Sequence, residues 1–220
     1  MIITVAQQKG GAGKTTLAAQ LAATYMAQGK RVATVDTDPQ ASLTKWAEVR
    51  RELLGDYDNL HHVQASGWRT NREVEALARD YDYVIVDSPP HAETDAKLAI
   101  RAADLILVPL QPSPMDIWAS QATLELARQE RVPVLIVPNR VPARSSMAEG
   151  ILANLGQLGA AVSKVSLGSR IAFAESMLNG RGVVESHRLS TAADEISALS
   201  REIIRRTASQ RRKIAAAEVA

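Results

Sequence analysis

The sequence predicts a single α/β domain built on a doubly wound, mostly parallel β-sheet flanked by helices. Three observations carry that expectation. Five short apolar runs rich in Val and Ile recur along the chain, segments of helical character separate them, and the loops that follow collect glycines, prolines and carboxylates. Continuous apolar runs, as opposed to alternating ones, are what parallel strands covered on both faces require. The strand–helix–strand rhythm then gives crossover units.

The runs are Ile2–Ala6, Val32–Asp36, Tyr83–Asp87, Leu105–Pro109 and Val134–Pro138, each about five residues as a buried strand should be. Leu60–Val63 is weaker and suits an edge strand, and Val165–Leu167 is expected to supply another. Helices are predicted over Lys14–Gln28, with Gly29 as its stop, Ser42–Leu54, Arg69–Arg79, Ala92–Ala102, Asp116–Glu130 and Met147–Leu158. Ser190 is positioned to cap a last helix running towards Lys213. There Ile196, Leu199 and Ile203 recur at spacings of three and four and form one apolar face. No linker or repeat interrupts the chain, so residues 1–213 are expected to be one domain and 214–220 an Ala-rich tail.

Composition narrows the chemistry. The 220 residues are 46% hydrophobic and 23% charged, ordinary globular usage that excludes a disordered or collagen-like chain. With a single Phe, the core must be Leu, Val, Ile and Ala. Cysteine is absent, which excludes a disulfide scaffold, a thiolate zinc site, a cysteine nucleophile and a Cys-ligated iron–sulfur cluster. No apolar run approaches about 18 residues, and the apolar start is too short for a secretory leader, so the chain reads as soluble and cytoplasmic. His61, His62, His91 and His187 form no metal-ligand spacing and are expected to be surface or hydrogen-bonded side chains. Net charge is +2, unevenly spread: ten Lys/Arg face five Asp/Glu between Lys164 and Lys213, while the remainder holds 16 basic and 19 acidic residues. A basic C-terminal part suggests a polyanionic partner, or simply a solvated helix face.

The strongest motif is Lys9-Gly10-Gly11-Ala12-Gly13-Lys14-Thr15-Thr16, which follows the first strand and opens the first helix. Glycines permit positive φ and close backbone approach, so successive N–H groups can surround phosphate oxygens at a positive helix end. Lys14 would reach the β- and γ-phosphates, and the Thr15 hydroxyl would ligate Mg²⁺. The generic phosphate-loop pattern requires glycine at position 8, where this chain has Gln8, and a second lysine, Lys9, opens the loop. The second strand ends in Asp36-Thr37-Asp38-Pro39-Gln40. Its paired carboxylates suit Mg²⁺, or the capping of the helix that begins near Ser42. Val84-Ile85-Val86-Asp87-Ser88-Pro89-Pro90 places another acid at a buried strand end.

These residues together resemble the deviant Walker A ATPases of the ParA/MinD family, within the P-loop NTPase fold. Lys9 to Thr16 matches K-G-G-x-G-K-[ST], Asp36 to Gln40 matches D-x-D-P-Q, and Asp87 to Pro90 matches the Walker B continuation. The resemblance implies ATP and Mg²⁺ as cofactors, with Gly10, Gly11, Ala12, Gly13, Lys14, Thr15 and Thr16 around the phosphates. It assigns Lys14 as the in-subunit lysine and Lys9 as the signature lysine that reaches the nucleotide of a partner subunit, giving a homodimer in the ATP state. It implies that Asp38 orients the attacking water, and that Thr15, Asp36 and Asp87 hold the metal and its water. Asn139, at the end of the Val134–Pro138 strand, is the candidate for the adenine edge, with the stretch Pro109–Pro114 flanking it. Strand-end turns account for those residues equally well.

A partition ATPase of this type is implied to bind DNA nonspecifically and to hydrolyse ATP when a centromere-binding or cargo adaptor protein stimulates it. That implies a nucleoid-associated, cytoplasmic protein. Candidate DNA contacts are Lys164, Arg170, Arg201, Arg205, Arg206 and Arg212. Arg201, Arg205 and Arg212 fall within about 40° of one another at 100° per residue. With the phosphate loop starting at residue 9, a preceding DNA-binding extension is not expected. The small apolar side of the last helix is not expected to give stable membrane attachment. A division-site or organelle-positioning ATPase, or an amide-forming or carboxylating enzyme of the same fold, would share the loop and differ in partner or product.

Overall fold

A computed structural model describes residues 1–55, 59–67, 69–90 and 93–218, excepting the side chains of 93–95 and 210–218. The strands are β1 (Ile2–Val5), β2 (Val32–Asp36), β3 (Leu60–Gln64), β4 (Tyr83–Asp87), β5 (Leu105–Leu110), β6 (Val134–Pro138) and β7 (Ala161–Val162). The helices are α1 (Lys14–Ala27), α2 (Ser42–Leu54), α3 (Arg69–Asp80), α4 (Glu93–Arg101), α5 (Pro114–Gln129), α6 (Ser146–Asn154), α7 (Ile171–Leu178), α8 (Val183–Ser186) and α9 (Thr191–Glu218). A 3₁₀ turn, Leu155–Leu158, follows α6.

All strand pairs are parallel, in the order β3-β2-β4-β1-β5-β6-β7. β1 lies in the middle, between β4 and β5. From β1 the chain lays down β2 two places away and β3 at the edge, returns to insert β4 between β2 and β1, and then crosses to β5 on the other side. Ligands of such sheets bind where the direction reverses, outside the carboxyl ends of the strands. The loop after β1 occupies that point.

Burial follows the apolar runs. The inner residues of β2, β4, β5 and β6 are buried on both faces, whereas β3 is only partly covered, as an edge strand should be. One face carries α1, α2 and the C-terminal helices, packed around Leu17, Leu21, Trp46, Ile196, Leu199 and Ile203. The opposite face is covered by α3 and α4 around Val74, Leu77 and Ala99, and by α5 and α6 around Leu124, Ile136 and Leu155. At about 25 cal/mol per Å² of apolar area, burying each such Leu or Ile contributes on the order of 2 kcal/mol.

Two expectations are corrected. The last strand is Ala161–Val162, paired with Leu135 and Ile136 of β6, and not Val165–Leu167. Leu167 instead donates its N–H to the Pro138 carbonyl (2.8 Å) and accepts from Val141 N–H (3.0 Å), beyond the end of that pairing. The helix expected over Met147–Leu158 is α6, capped by the Ser145 hydroxyl on Ala148 N–H (3.1 Å), followed by the separate 3₁₀ turn. Ser190 caps the last helix as expected, accepting from Ala193 N–H (3.2 Å), and that helix continues past Lys213 to Glu218. Among the described residues no helix is long and apolar enough to cross a membrane.

Candidate nucleotide and magnesium site

The phosphate loop has a shape only its sequence allows. Gly11 and Gly13 adopt φ of +78° and +91°, and Gly13 forms the N-cap of α1. A Cβ at Gly13 would lie 2.5 Å from Asn139 Nδ2, so this glycine answers both to its dihedral and to a close neighbour. Two side chains from the ends of β5 and β6 hold the loop open from below. Gln111 Nε2 donates to the Gly11 carbonyl (2.9 Å), and Asn139 Nδ2 donates to the Ala12 carbonyl (2.8 Å). The loop's carbonyls are thereby turned towards the protein. Gly10 and Gly11 remain exposed, and the positive end of α1 faces the opening.

Lys14 begins α1 and is only 7% exposed. Burial lowers its pKa, against the opposing pull of Asp87 and Asp38. Asp87 shows the complementary strain. Burial pushes its carboxyl up to about 7, Thr15 works against that by donating its hydroxyl to Oδ2 (2.6 Å), and Asp36, its register neighbour on β2, adds to the rise. Its other oxygen, Oδ1, is buried without a hydrogen-bond partner. A desolvated ammonium beside a desolvated carboxylate is a poor arrangement by itself. It becomes a good one when phosphate and a cation arrive.

Asp36 is fully buried and held by α2 and by the turn that precedes it. Its Oδ2 accepts from Thr44 N–H (2.8 Å) and Thr44 Oγ1 (3.0 Å), and its Oδ1 accepts from Asp38 N–H (3.1 Å). The expected capping role is therefore real. Asp38 is partly exposed; its Oδ1 accepts from Gln40 N–H (2.9 Å), and Ala41 closes the turn at φ +52°. A non-glycine residue in the left-handed region costs on the order of 1 kcal/mol and marks a turn fixed by its surroundings.

The donor set fits Mg²⁺. Thr15 Oγ1, the orphaned Asp87 Oδ1 and the Asp36 carboxylate are hard oxygens, and among the described residues no cluster of three or more His, Cys, Asp or Glu forms a closed metal cage. A cation that keeps several waters and leans on substrate phosphates needs no such cage.

Lys9 is ion-paired within its own subunit to Asp116, in the first turn of α5. The Asp116 side chain is fully buried while that of Lys9 is 36% exposed. Ser113, the N-cap of α5, donates its hydroxyl to Asp116 Oδ2 (2.6 Å), and Asp116 Oδ1 has no partner. Beside the loop, a cleft is bounded by Thr16, Asn139, Arg140, Ser169, Arg170 and Phe173. Asn139 faces this cleft, but its amide nitrogen is already engaged with Ala12, leaving Oδ1 as the atom free to meet a base. The stretch Pro109–Pro114 buttresses the loop through Gln111 and caps α5 through Ser113.

Residues 3–184 match the family model described as the CobQ/CobB/MinD/ParA nucleotide binding domain. The chain belongs to that family. It is 32% identical over 217 residues, covering 92% of this chain and 95% of the relative, to the maintenance of carboxysome distribution protein A of Halothiobacillus neapolitanus. It is 29% identical over 240 residues, covering 93% and 95%, to the chromosome-partitioning ATPase Soj of Thermus thermophilus. Among solved structures, the MinD cell division protein of Aquifex aeolicus superposes with a TM-score of 0.76 at 21% identity, covering 92% of this chain and 96% of that one. Cobyrinic acid a,c-diamide synthase of Mycobacterium smegmatis, solved with an ATP analogue and magnesium, gives 0.74 at 23% identity, covering 93% and 94%. Both structural likenesses are of fold.

Against the family frame, the basic C-terminal candidates divide. Arg170 is clamped by Glu195, with Nε 3.1 Å and Nη2 2.6 Å from its oxygens, and lines the cleft beside the phosphate loop. Arg206 pairs with Glu202 (2.8 Å) and donates to the Val162 carbonyl (3.2 Å). Neither presents an unpaired charge. Lys164, Arg201 and Arg205 lie on the surface side of their elements, and among the described residues no carboxylate pairs with them. The side chain of Arg212 lies outside the described residues, as does His91.

Two groups near the site escaped the sequence reading. Asp116 lies 107 residues from Lys9, and only its place as a lone acid in the apolar turn Met115–Trp118 hinted at a buried role. His62 proves to be hydrogen-bonded, as expected of it, but to threonines that touch the Asp36 system.

Proposed function

We propose that this chain is a Mg²⁺-dependent ATPase that couples nucleotide state to dimerisation and uses nonspecific DNA as a matrix for partitioning. The observation that carries the reading is Lys9, beside the loop, on a side chain still partly in solvent and paired to Asp116 within its own subunit. On binding ATP, Lys14 and the N–H groups of residues 10–16 take the β- and γ-phosphates. Thr15, Asp36 and Asp87 would hold magnesium and its waters, which would supply charge neutralisation to the phosphates. Lys9 leaves Asp116 for the nucleotide of a second subunit. Asp38, on its tight turn, orients the water for in-line attack, so that catalysis is positioning and charge stabilisation. Asn139 Oδ1 would be the atom offered to the base. In the dimer, Lys164, Arg201 and Arg205 of two subunits double the basic surface available to phosphates.

The likeness to the chromosome-partitioning ATPase Soj supports DNA partition, for which the stimulating partner would be a centromere-bound adaptor. The likeness to the carboxysome-distribution protein favours a second reading, in which the same cycle positions a protein compartment through its own adaptor. Both require ATP-dependent, sequence-independent DNA binding. A gel shift with ATP, with ADP and without nucleotide tests it: retardation in the ATP lane alone is expected, and equal or absent binding in all three lanes contradicts the reading. Loss of a plasmid, or dispersal of a compartment, after deletion of the gene separates the two cargoes. Amide-bond formation with a small carboxylate substrate, without any effect of DNA, would place the chain with the synthases of the fold instead.

A further inference from the structure

On the edge of the sheet, His62 of β3 stands directly beside Thr34 of β2 in the strand register. Thr34 Oγ1 is 2.9 Å from His62 Nδ1, and His62 Nε2 is 3.0 Å from Thr44 Oγ1. Thr44 Oγ1 in turn donates to Asp36 Oδ2 (3.0 Å), the oxygen that also accepts the Thr44 N–H. For the neutral ring, proton bookkeeping along this chain allows one assignment. The Thr44 hydroxyl has a single proton and gives it to the carboxylate, so towards His62 it is an acceptor, and Nε2 must carry the ring proton. Nδ1 is then a lone pair, and the Thr34 hydroxyl donates to it. The ring is half-buried. Its pKa is lowered by burial, with Asp36 and Glu48 opposing and His61 and Arg51 reinforcing, which keeps it neutral and compatible with that order.

We propose that His62, as the Nε2–H tautomer, is a positioning residue for Asp36, acting through Thr44. Four polar side chains run from the sheet edge to the strand end that faces the phosphate loop. Thr44 sits in the first turn of α2, where its side chain is free to rotate unless something fixes it. His62 fixes it, because an Nε2–H donor pointing at Oγ1 leaves the Thr44 proton only the carboxylate as its acceptor. That locks one Asp36 oxygen and leaves the orientation of the whole carboxylate set before a cation's water arrives. Partners that fix a ligating carboxylate are worth about 10-fold or more in metal affinity. This inference rests on the reading that Asp36 holds the magnesium hydration shell.

The test has two independent arms on the full chain. ¹⁵N NMR of the nucleotide-free protein at pH 7 should show His62 as the neutral Nε2–H tautomer. Magnesium is then titrated against a fluorescent ATP analogue for the wild type, His62→Leu, His62→Gln and Asp36→Asn. His62→Leu should raise the half-saturating Mg²⁺ concentration about 10-fold, and His62→Gln, whose amide nitrogen restores the donor to Thr44, should remain within about twofold of wild type by the same reasoning. A Nδ1–H tautomer or an imidazolium overturns the proposal. So does a His62→Leu midpoint equal to wild type while Asp36→Asn raises it, or a His62→Gln midpoint that rises with His62→Leu. If Asp36→Asn also leaves the midpoint unchanged, the magnesium reading of Asp36 has failed and the tautomer alone decides the hydrogen-bond chain. Thr34→Val, which removes only the donor to Nδ1 and leaves Thr44 as an acceptor, should keep the Nε2–H tautomer; a switch to Nδ1–H overturns the proposal, and this variant serves if His62→Leu does not fold.

Discussion

Lys9, beside the phosphate loop, and Asp116, buried at the start of α5, form an ion pair inside one subunit. The lysine that the family frame assigns to a neighbour's nucleotide is thus occupied at home. On the proposed cycle, leaving Asp116 would strand a buried carboxylate with one oxygen already unpartnered, a cost that interactions across the dimer would have to offset. Replacing Asp116 with Asn keeps the shape and removes the charge. We expect Asp116→Asn to dimerise at a several-fold lower ATP concentration than wild type, read by light scattering during an ATP titration. An unchanged midpoint would mean that the pair does not oppose assembly.

Removing the other partner should do something different. Lys9→Ala leaves Asp116 buried with only Ser113 to answer it, and a buried charge stripped of its partner costs about 1–3 kcal/mol after allowance for the exposure of the lysine. We therefore expect the nucleotide-free variant to melt lower than wild type, to bind ATP as a monomer, and to fail to dimerise. Adding Asp116→Ala to Lys9→Ala should recover most of the melting temperature and none of the dimer.

The elevated Asp87 gives a pH signature. Its folded pKa of about 7 lies above the unfolded value of 3.8, so the folded state holds the proton more tightly. The stability this contributes is complete below the unfolded value and is lost as pH rises towards 7, at up to about 1.4 kcal/mol per pH unit. Asp87→Asn has no such proton to lose. Chemical denaturation of the nucleotide-free proteins should show the variant gaining on wild type between about pH 4 and 7 and holding a constant lead above it. A difference independent of pH would contradict the assignment.

Of the basic residues, those without ion pairs should carry the DNA. Neutralising one phosphate adds about 0.9 to the steepness of log K against log salt, so deleting one phosphate-binding side chain flattens the plot by that amount. Arg201→Ala with Arg205→Ala removes four such side chains from the dimer and should reduce the slope measured for the ATP form by about 4 on the same basis. Arg206→Ala should leave the slope unchanged and lower stability by about 1 kcal/mol, because Glu202 loses its ion-pair partner and keeps only Ser163 and the Lys164 N–H.

What could be read in the chain, and what could not, divides by distance. The strand boundaries at Val32–Asp36, Tyr83–Asp87 and Val134–Pro138 were legible because a strand covered on both faces reads as a short, nearly continuous apolar run. So was the phosphate loop, whose geometry is local and demands glycine at 11 and 13. β7 was not, since its two residues have no run of their own and are defined only by β6. α7 was missed because Ile171–Leu178 is too short to show a period, and α8 spans four residues. At the site, the motif residues were legible and their partners were not. Nothing adjacent in the chain links Lys9 to Asp116, Asn139 to Ala12, or His62 to Thr34 and Thr44. The same distance explains Arg170 and Arg206: they read as free positive charge until Glu195 and Glu202 came alongside.

Coupling of nucleotide state to assembly is tested most directly by the mass of the purified chain in solution. With magnesium and a non-hydrolysable ATP analogue at saturation, multi-angle light scattering should give twice the 23.7 kDa of the single chain, and with ADP the single mass. A single mass under both conditions would contradict the account.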